Sequence, residues 1–174
     1  MELIYTLIIV AAIFALAIVL IIQHFLKKQT ITESFHYQSK ARQEQQAFNL
    51  PHRMEAYQRA ILLLERIHPA SLVFRLNQPN ISAQFFQAQL LKTIREEYDH
   101  NVAQQLFISP KAWSLLKNAK EETVKLINVA ASQLPADANS GALSTLIITL
   151  TAEVNPLPSE IAIEALKNEF QQFS

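Results

Sequence analysis

Apolar and polar positions along the chain fall into two regimes. Residues 3–22 carry no charged side chain, and Tyr5 and Thr6 are the polar members of an otherwise aliphatic and aromatic run. No polar stripe recurs at helical spacing, so every face of a helix built from this run is apolar. About twenty such residues, rising roughly 1.5 Å each, match a hydrocarbon core of roughly 30 Å, so the pattern predicts one transmembrane helix over 3–22. A cleaved signal peptide fits the run less well. Met1 and Glu2 supply no basic leader, and five more apolar residues follow Ala15-Leu16-Ala17.

Past the run the pattern becomes amphipathic. Residues 23–48 hold neither proline nor glycine and are rich in Gln, Lys, Arg and Glu. They predict a helical stalk. Ile31, Phe35, Arg42 and Phe48 give no heptad seam, so the stalk reads as a solvated connector rather than a coiled coil. From there prolines act as punctuation. Asn49-Leu50-Pro51 reads as a break, after which Leu50, Met54, Tyr57, Ile61 and Leu64 recur every three or four residues and predict a helix over 51–67. Ile67-His68-Pro69 ends it, since the residue before proline is pushed out of the helical region.

A single helical turn is expected over 72–76 and a chain reversal at Asn77-Gln78-Pro79-Asn80. Ser82 is placed to cap a helix reaching about residue 105, with Phe85, Phe86, Leu90, Ile94, Tyr98 and Val102 on one face. Ser109-Pro110 pairs a capping residue with proline at the first helical position and opens the next helix, which turns Trp113, Leu116, Val124, Ile127, Ala131 and Leu134 inward. Ile147-Ile148-Thr149-Leu150-Thr151 has strand propensity, but no partner strand is visible, so 141–152 reads as helix. A last amphipathic helix over 159–173 presents Ile161, Ala162, Ala165, Leu166, Phe170 and Phe173. The expected fold class is all-α. It comprises a single N-terminal transmembrane helix (3–22) continuing into a helical stalk (23–48), followed by a small bundle of about five helices (50–174).

The flanks of the apolar run set an expected orientation. Lys27 and Lys28 follow it, with Lys40 and Arg42 beyond, while the other side offers Glu2 and the terminal amine. Basic residues stay on the cytoplasmic side. The expectation is a single-pass protein of the cell inner membrane, N-terminus outside and helical domain in the cytoplasm, with the lipid bilayer as one partner.

Composition narrows the function classes. Lys+Arg and Asp+Glu number 15 each, so the net charge is zero and the basic excess that a nucleic-acid binder uses against phosphates is missing. There is no cysteine, which removes disulfides, thiolate nucleophiles and Cys-type zinc or iron–sulfur sites. Gly141 is the one glycine of the chain. Phosphate loops and dinucleotide fingerprints need several, so neither can be built here.

The sharpest chemical pattern is a repeated Glu-x-x-His, Glu65-Arg66-Ile67-His68 and Glu97-Tyr98-Asp99-His100. Spacing of i, i+3 points both side chains to one helix face, and two such motifs plus two further carboxylates bind di-iron in ferritin-like bundles. Glu33, Glu55 and Glu121 are available as further ligands. Against this, His68 sits at a helix end, where its charge meets the C-terminal dipole, and His100 lies in an ordinary charged face. Ser71, Ser82, Ser109, Ser140 and Ser159 occupy capping positions, which explains serine there without nucleophilic chemistry. No catalytic or cofactor-binding residue emerges, and Glu65, His68, Glu97 and His100 stand as the metal candidates.

Several strings carry a resemblance: Tyr57-Gln58-Arg59 with Leu62-Leu63-Leu64-Glu65-Arg66-Ile67-His68-Pro69, then Arg95-Glu96-Glu97-Tyr98-Asp99-His100-Asn101, Ile108-Ser109-Pro110 with Trp113, and Lys117-Asn118-Ala119-Lys120-Glu121-Glu122. Over nearly its whole length the chain resembles an uncharacterised family, a domain of unknown function from short, N-terminally membrane-anchored helical proteins of Bacteroidetes. The resemblance implies a bacterial inner-membrane protein with a helical body. It implies no activity and carries over no functional residue.

Two functions of different class follow. One is a membrane-tethered, non-catalytic helical module that docks a protein partner or self-associates, with no cofactor and no small-molecule substrate evident. The alternative is a membrane-attached metalloprotein or small enzyme using the Glu-x-x-His pairs.

Overall fold

Helix caps and prolines place most element boundaries in the computed structural model. It describes residues 1–172, with the side chains of 1–3, 5, 7, 14–23, 40 and 49–172. Six α-helices follow in order: α1 (Glu2–Arg66), α2 (Pro69–Leu76), α3 (Ala83–Asn101), α4 (Pro110–Ser132), α5 (Ser140–Ala152) and α6 (Pro158–Gln171). A 3₁₀ turn, Val102–Leu106, lies between α3 and α4. The all-α expectation holds among the described residues. The chain divides into two units, Met1–Asn49 and Leu50–Ser174.

The membrane-spanning expectation is corrected. Among the described residues no helix is long and apolar enough to cross a membrane. Residues 3–22 form the start of α1. The side chains of 4, 6 and 8–13 lie outside the described residues. The single-pass topology, the inner-membrane location, the outward N-terminus and the cytoplasmic placement of 50–174 all rested on that span and fall with it. Lys27, Lys28 and Arg42, which set the orientation, lie outside the described side chains, as does Glu33 among the metal candidates. Of the expected stalk, 23–48, the backbone is helical as part of α1.

Pro51 does not break the chain. It lies inside α1, which runs on to Arg66. A proline in a helix removes one backbone hydrogen bond and crowds the preceding turn, yet Ala56, Tyr57, Ala60, Leu63, Leu64 and Ile67 are all buried just beyond it. Burial of that apolar face outweighs one missing bond.

The other starts follow their caps. Ser82 accepts from the Phe85 amide at 3.2 Å, Ser109 from the Ala112 amide at 3.2 Å, and Asn139 from the Ala142 amide at 2.9 Å. The caps of α3 and α5 also meet each other. Ala83 donates to the Ala138 carbonyl and Ser140 to the Ile81 carbonyl, both at 2.9 Å, so Ser82 and Asn139 form a short antiparallel bridge. Asn80 takes a left-handed φ of 70° in the turn before α3, a conformation asparagine tolerates. α6 starts at Pro158, where Glu160 reaches back to accept from the Leu157 amide at 2.9 Å.

α5 shows why a β-branched segment stays helical. Ser144, Thr145, Thr149 and Thr151 each donate their hydroxyl to the carbonyl four residues back, at 2.7 to 3.0 Å. Each polar side chain is thereby satisfied inside the helix, leaving Leu143 and Ile147 to enter the core.

α4 is the central element. It packs against α3, α5 and α6, while α2 closes on α3 and α5. Trp113, Leu116 and Ile127 of α4 meet Phe86, Leu90 and Ile94 of α3, Leu143 and Ile147 of α5 and Leu166 of α6 in one cluster. Burying each such side chain stabilises by about 1.5–3 kcal/mol relative to leaving it in water. Several expected core residues instead face out: Phe85 is 61% exposed, Leu50 and Met54 46% each, and Ile161 44%. Phe173 lies outside the described residues.

Candidate functional site

The Glu-x-x-His residues are placed as follows. Glu65 and His100 are exposed, and His68, half-buried, precedes α2 with no side-chain cap bond. Glu97 is taken up by arginine. The Arg66 guanidinium donates to its carboxylate through Nη2 at 2.6 Å and Nε at 2.7 Å, and Arg75 approaches it at 3.8 Å. This triad ties α1, α2 and α3 together. Glu55 pairs with Arg59 at 2.8 Å and Glu121 with Lys120 at 2.8 Å. Among the described residues no group of three His, Asp or Glu side chains is placed to hold a metal ion.

A second polar cluster carries no signal in the sequence. Glu169 near the end of α6 accepts from the Tyr57 hydroxyl of α1, from the Ser109 amide at 3.0 Å and from the Ser109 hydroxyl at 2.5 Å. Burial opposes its charge. The hydroxyls of Ser109 and Tyr57, the Ser109 amide and the Arg53 guanidinium outweigh burial and hold the carboxyl below its ordinary 4.5. For Tyr57, burial and the bond to that carboxylate push the hydroxyl up to about 12 against the opposing pull of Arg53. A carboxylate held ionised by three donors is a weak base, and none of the three is an imidazole. The cluster fastens α1, α4 and α6 and is poorly suited to moving protons.

The feature with the character of a binding site is a groove of about 240 Å³ along the second half of α4. Leu126 and Val129 of α4, Leu150 of α5, Val154 and Leu157 of the α5–α6 connection and Pro158 at the start of α6 form its apolar walls. Glu122, Lys125 and Glu153 are the charged members of its lining. Thr123 presents no free hydroxyl, because it donates to the Ala119 carbonyl at 3.0 Å. Val129 and Val154 are 41% and 43% exposed, so the apolar lining opens to solvent. Concave, mainly apolar surface with a few polar groups is how proteins receive ligands and anchor side chains. The helix pattern shows which residues leave the core but not which outward residues of three elements converge.

Comparison with known proteins identifies the chain at the level of a family. The family model described as Family of unknown function (DUF7935) matches residues 1–173, and the chain belongs to that family. No curated protein and no solved structure matches it.

Proposed function

We propose that this protein is a non-catalytic helical interaction module that docks a protein partner through the groove between α4, α5 and the start of α6. The observation that carries this reading is the open apolar lining of that groove, with Val129 and Val154 left partly in solvent beside a well-packed core. Exposed apolar surface rimmed by polar residues is kept where something covers it. The one dense polar cluster, around Glu169, is spent on holding helices together, which favours binding over catalysis. The alternative, a metalloprotein or small enzyme using the Glu-x-x-His pairs, has their spacing in sequence as its support. The resemblance stated above also supports a bacterial source among the Bacteroidetes.

Photo-crosslinking in cells tests the docking reading. A photoreactive residue at Val154 is expected to give a defined protein adduct, and one at Lys117, on another face of α4, is expected to give none. Equal adducts from both positions, or none from Val154, would overturn it.

A further inference from the structure

The groove carries information about what it receives. Glu153 occupies the C-terminal cap of α5, and α5 has no basic residue in its last turn. The carbonyl end of a helix carries partial negative charge, so a carboxylate there is placed against the local field. Glu153 is exposed and has no ion pair among the described residues. Glu122 lines the same groove, and its charge is met by Lys125 at 3.7 Å. The α5 end of the groove therefore holds uncompensated negative charge.

Ser159 adds an independent observation. It is 4% exposed, it lines the groove, and its hydroxyl has no hydrogen-bond partner among the described residues. Its oxygen keeps a little contact with solvent, whereas Ser144 and Thr151 on α5 are bonded to backbone carbonyls. Ser159 and the unpaired Glu153 thus line the same groove, each with an oxygen open to a donor.

We infer that the groove receives a basic amphipathic helix of a partner protein, an aliphatic side chain entering between Leu126, Leu150 and Leu157 while a neighbouring lysine or arginine meets Glu153 and the Ser159 hydroxyl. The inference rests on the docking reading and adds the partner's chemistry. The volume admits a side chain, since cavities for drug-sized molecules begin at about 300 Å³. A cation relieves the misplaced charge at the end of α5. The long apolar stem of lysine or arginine suits the walls, with its head at the polar rim.

Fluorescence anisotropy of a labelled Leu/Lys amphipathic helical peptide against the full chain tests this, with a Leu/Glu peptide of the same pattern beside it. The Leu/Lys peptide is expected to bind and the Leu/Glu peptide not. Glu153→Gln should weaken binding about three- to fivefold at low salt, with the difference shrinking at high salt. Val154→Asp, at an exposed position, should abolish binding with an unchanged melt. Equal binding of both peptides, or no effect of Glu153→Gln, would overturn the cationic assignment while leaving docking at the groove standing. Absence of Leu/Lys binding overturns the inference. Binding that survives Val154→Asp places the peptide elsewhere and overturns it as well. The docking reading itself stands or falls on the crosslinks from Val154.

Discussion

Glu169, in the last turn of α6, lays its carboxylate on the N-terminus of α4, where Ser109 donates to it twice, through its amide at 3.0 Å and through its hydroxyl. An anion at the first turn of a helix meets open N–H groups and the positive end of the dipole. Here the anion is supplied by a side chain 60 residues away. Ser109 therefore caps α4 through its oxygen and recruits α6 through its two hydrogens.

Acid should release this contact. The Glu169 carboxyl titrates below its ordinary 4.5 in the folded protein, so between those values the unfolded chain binds more protons. The stability it contributes is fully present above pH 4.5 and is lost as pH falls through the folded value. Glu169→Gln is expected to cost about 1.5–3 kcal/mol at neutral pH, as for hydrogen bonds to a charged group, and to flatten the acid limb of the stability curve. Urea melts followed by Trp113 emission from neutral to acid pH check this. An acid limb as steep in the variant as in the unmodified protein would assign the loss to other carboxylates.

Alkali should act on the same cluster from the other side. Tyr57 is raised from 10.0 to about 12, so its neutral form is favoured in the folded state. Its contribution is fully present below pH 10 and is lost as pH climbs through about 12. Tyr57→Phe keeps the ring against Phe170, whose centroid lies 5.4 Å away, and removes only the donor. The variant is expected to lose about 0.5–1.5 kcal/mol at neutral pH and to show a smaller alkaline loss. Alkaline melts of the two proteins decide it.

Much of the fold was legible because caps and prolines are local signals. Ser82 and Ser109 start helices as their chemistry dictates, while the cap of α5 is Asn139 rather than Ser140, and Phe86, Leu90 and Ile94 keep the spacing of a buried face. Three things were not legible, each for a physical reason. Pro51 reads as a break when only its backbone cost is weighed, and the burial of Ala56 through Ile67 decides otherwise. Phe85 shares the apolar face on paper but lies in the first turn of α3, where the helix is still leaving the Ser82–Asn139 bridge. The apolar run 3–22 satisfies a length rule in sequence, whereas among the described residues no helix is long and apolar enough to cross a membrane. For the candidate site, neither Glu169 nor the Glu153–Ser159 edge has a sequence signature. Each depends on partners from another element or on the absence of one.

The Glu-x-x-His residues should be energetically minor. His68→Ala and His100→Ala are each expected to change stability by less than about 1 kcal/mol, as at sites without a buried role. Glu97→Gln should cost about 0.5–1 kcal/mol, because Arg66 is largely exposed, and the cost should shrink as salt rises. Chemical denaturation at two salt concentrations measures both. Elemental analysis of the purified protein gives the second arm, where stoichiometric iron, zinc or manganese lost in the histidine variants would restore the metal reading.

Trp113 tests the centre of the helical unit. It is 6% exposed, its ring lies 6.0 Å from that of Tyr98, and Lys120 covers the Tyr98 ring at 4.5 Å. Truncating a buried tryptophan costs about 3–5 kcal/mol, a large part of the 5–15 typical of a domain. Trp113→Ala should therefore lower the melting point sharply, while Lys125→Ala, whose side chain is 70% exposed, should barely move it. Trp113→Phe separates volume from polarity. The indole N–H is buried with no hydrogen-bond partner among the described residues, so removing it relieves an unmet donor while the smaller ring leaves some empty space. The two effects oppose, and the net cost should stay within about 1–2 kcal/mol. Thermal melts of the three variants, read beside the emission of the unmodified protein, decide the placement. A blue-shifted emission with the order Trp113→Ala, then Trp113→Phe, then Lys125→Ala fits a core residue. A red-shifted emission with an unchanged Trp113→Ala melt would put Trp113 on the surface and make it a second docking residue beside the groove.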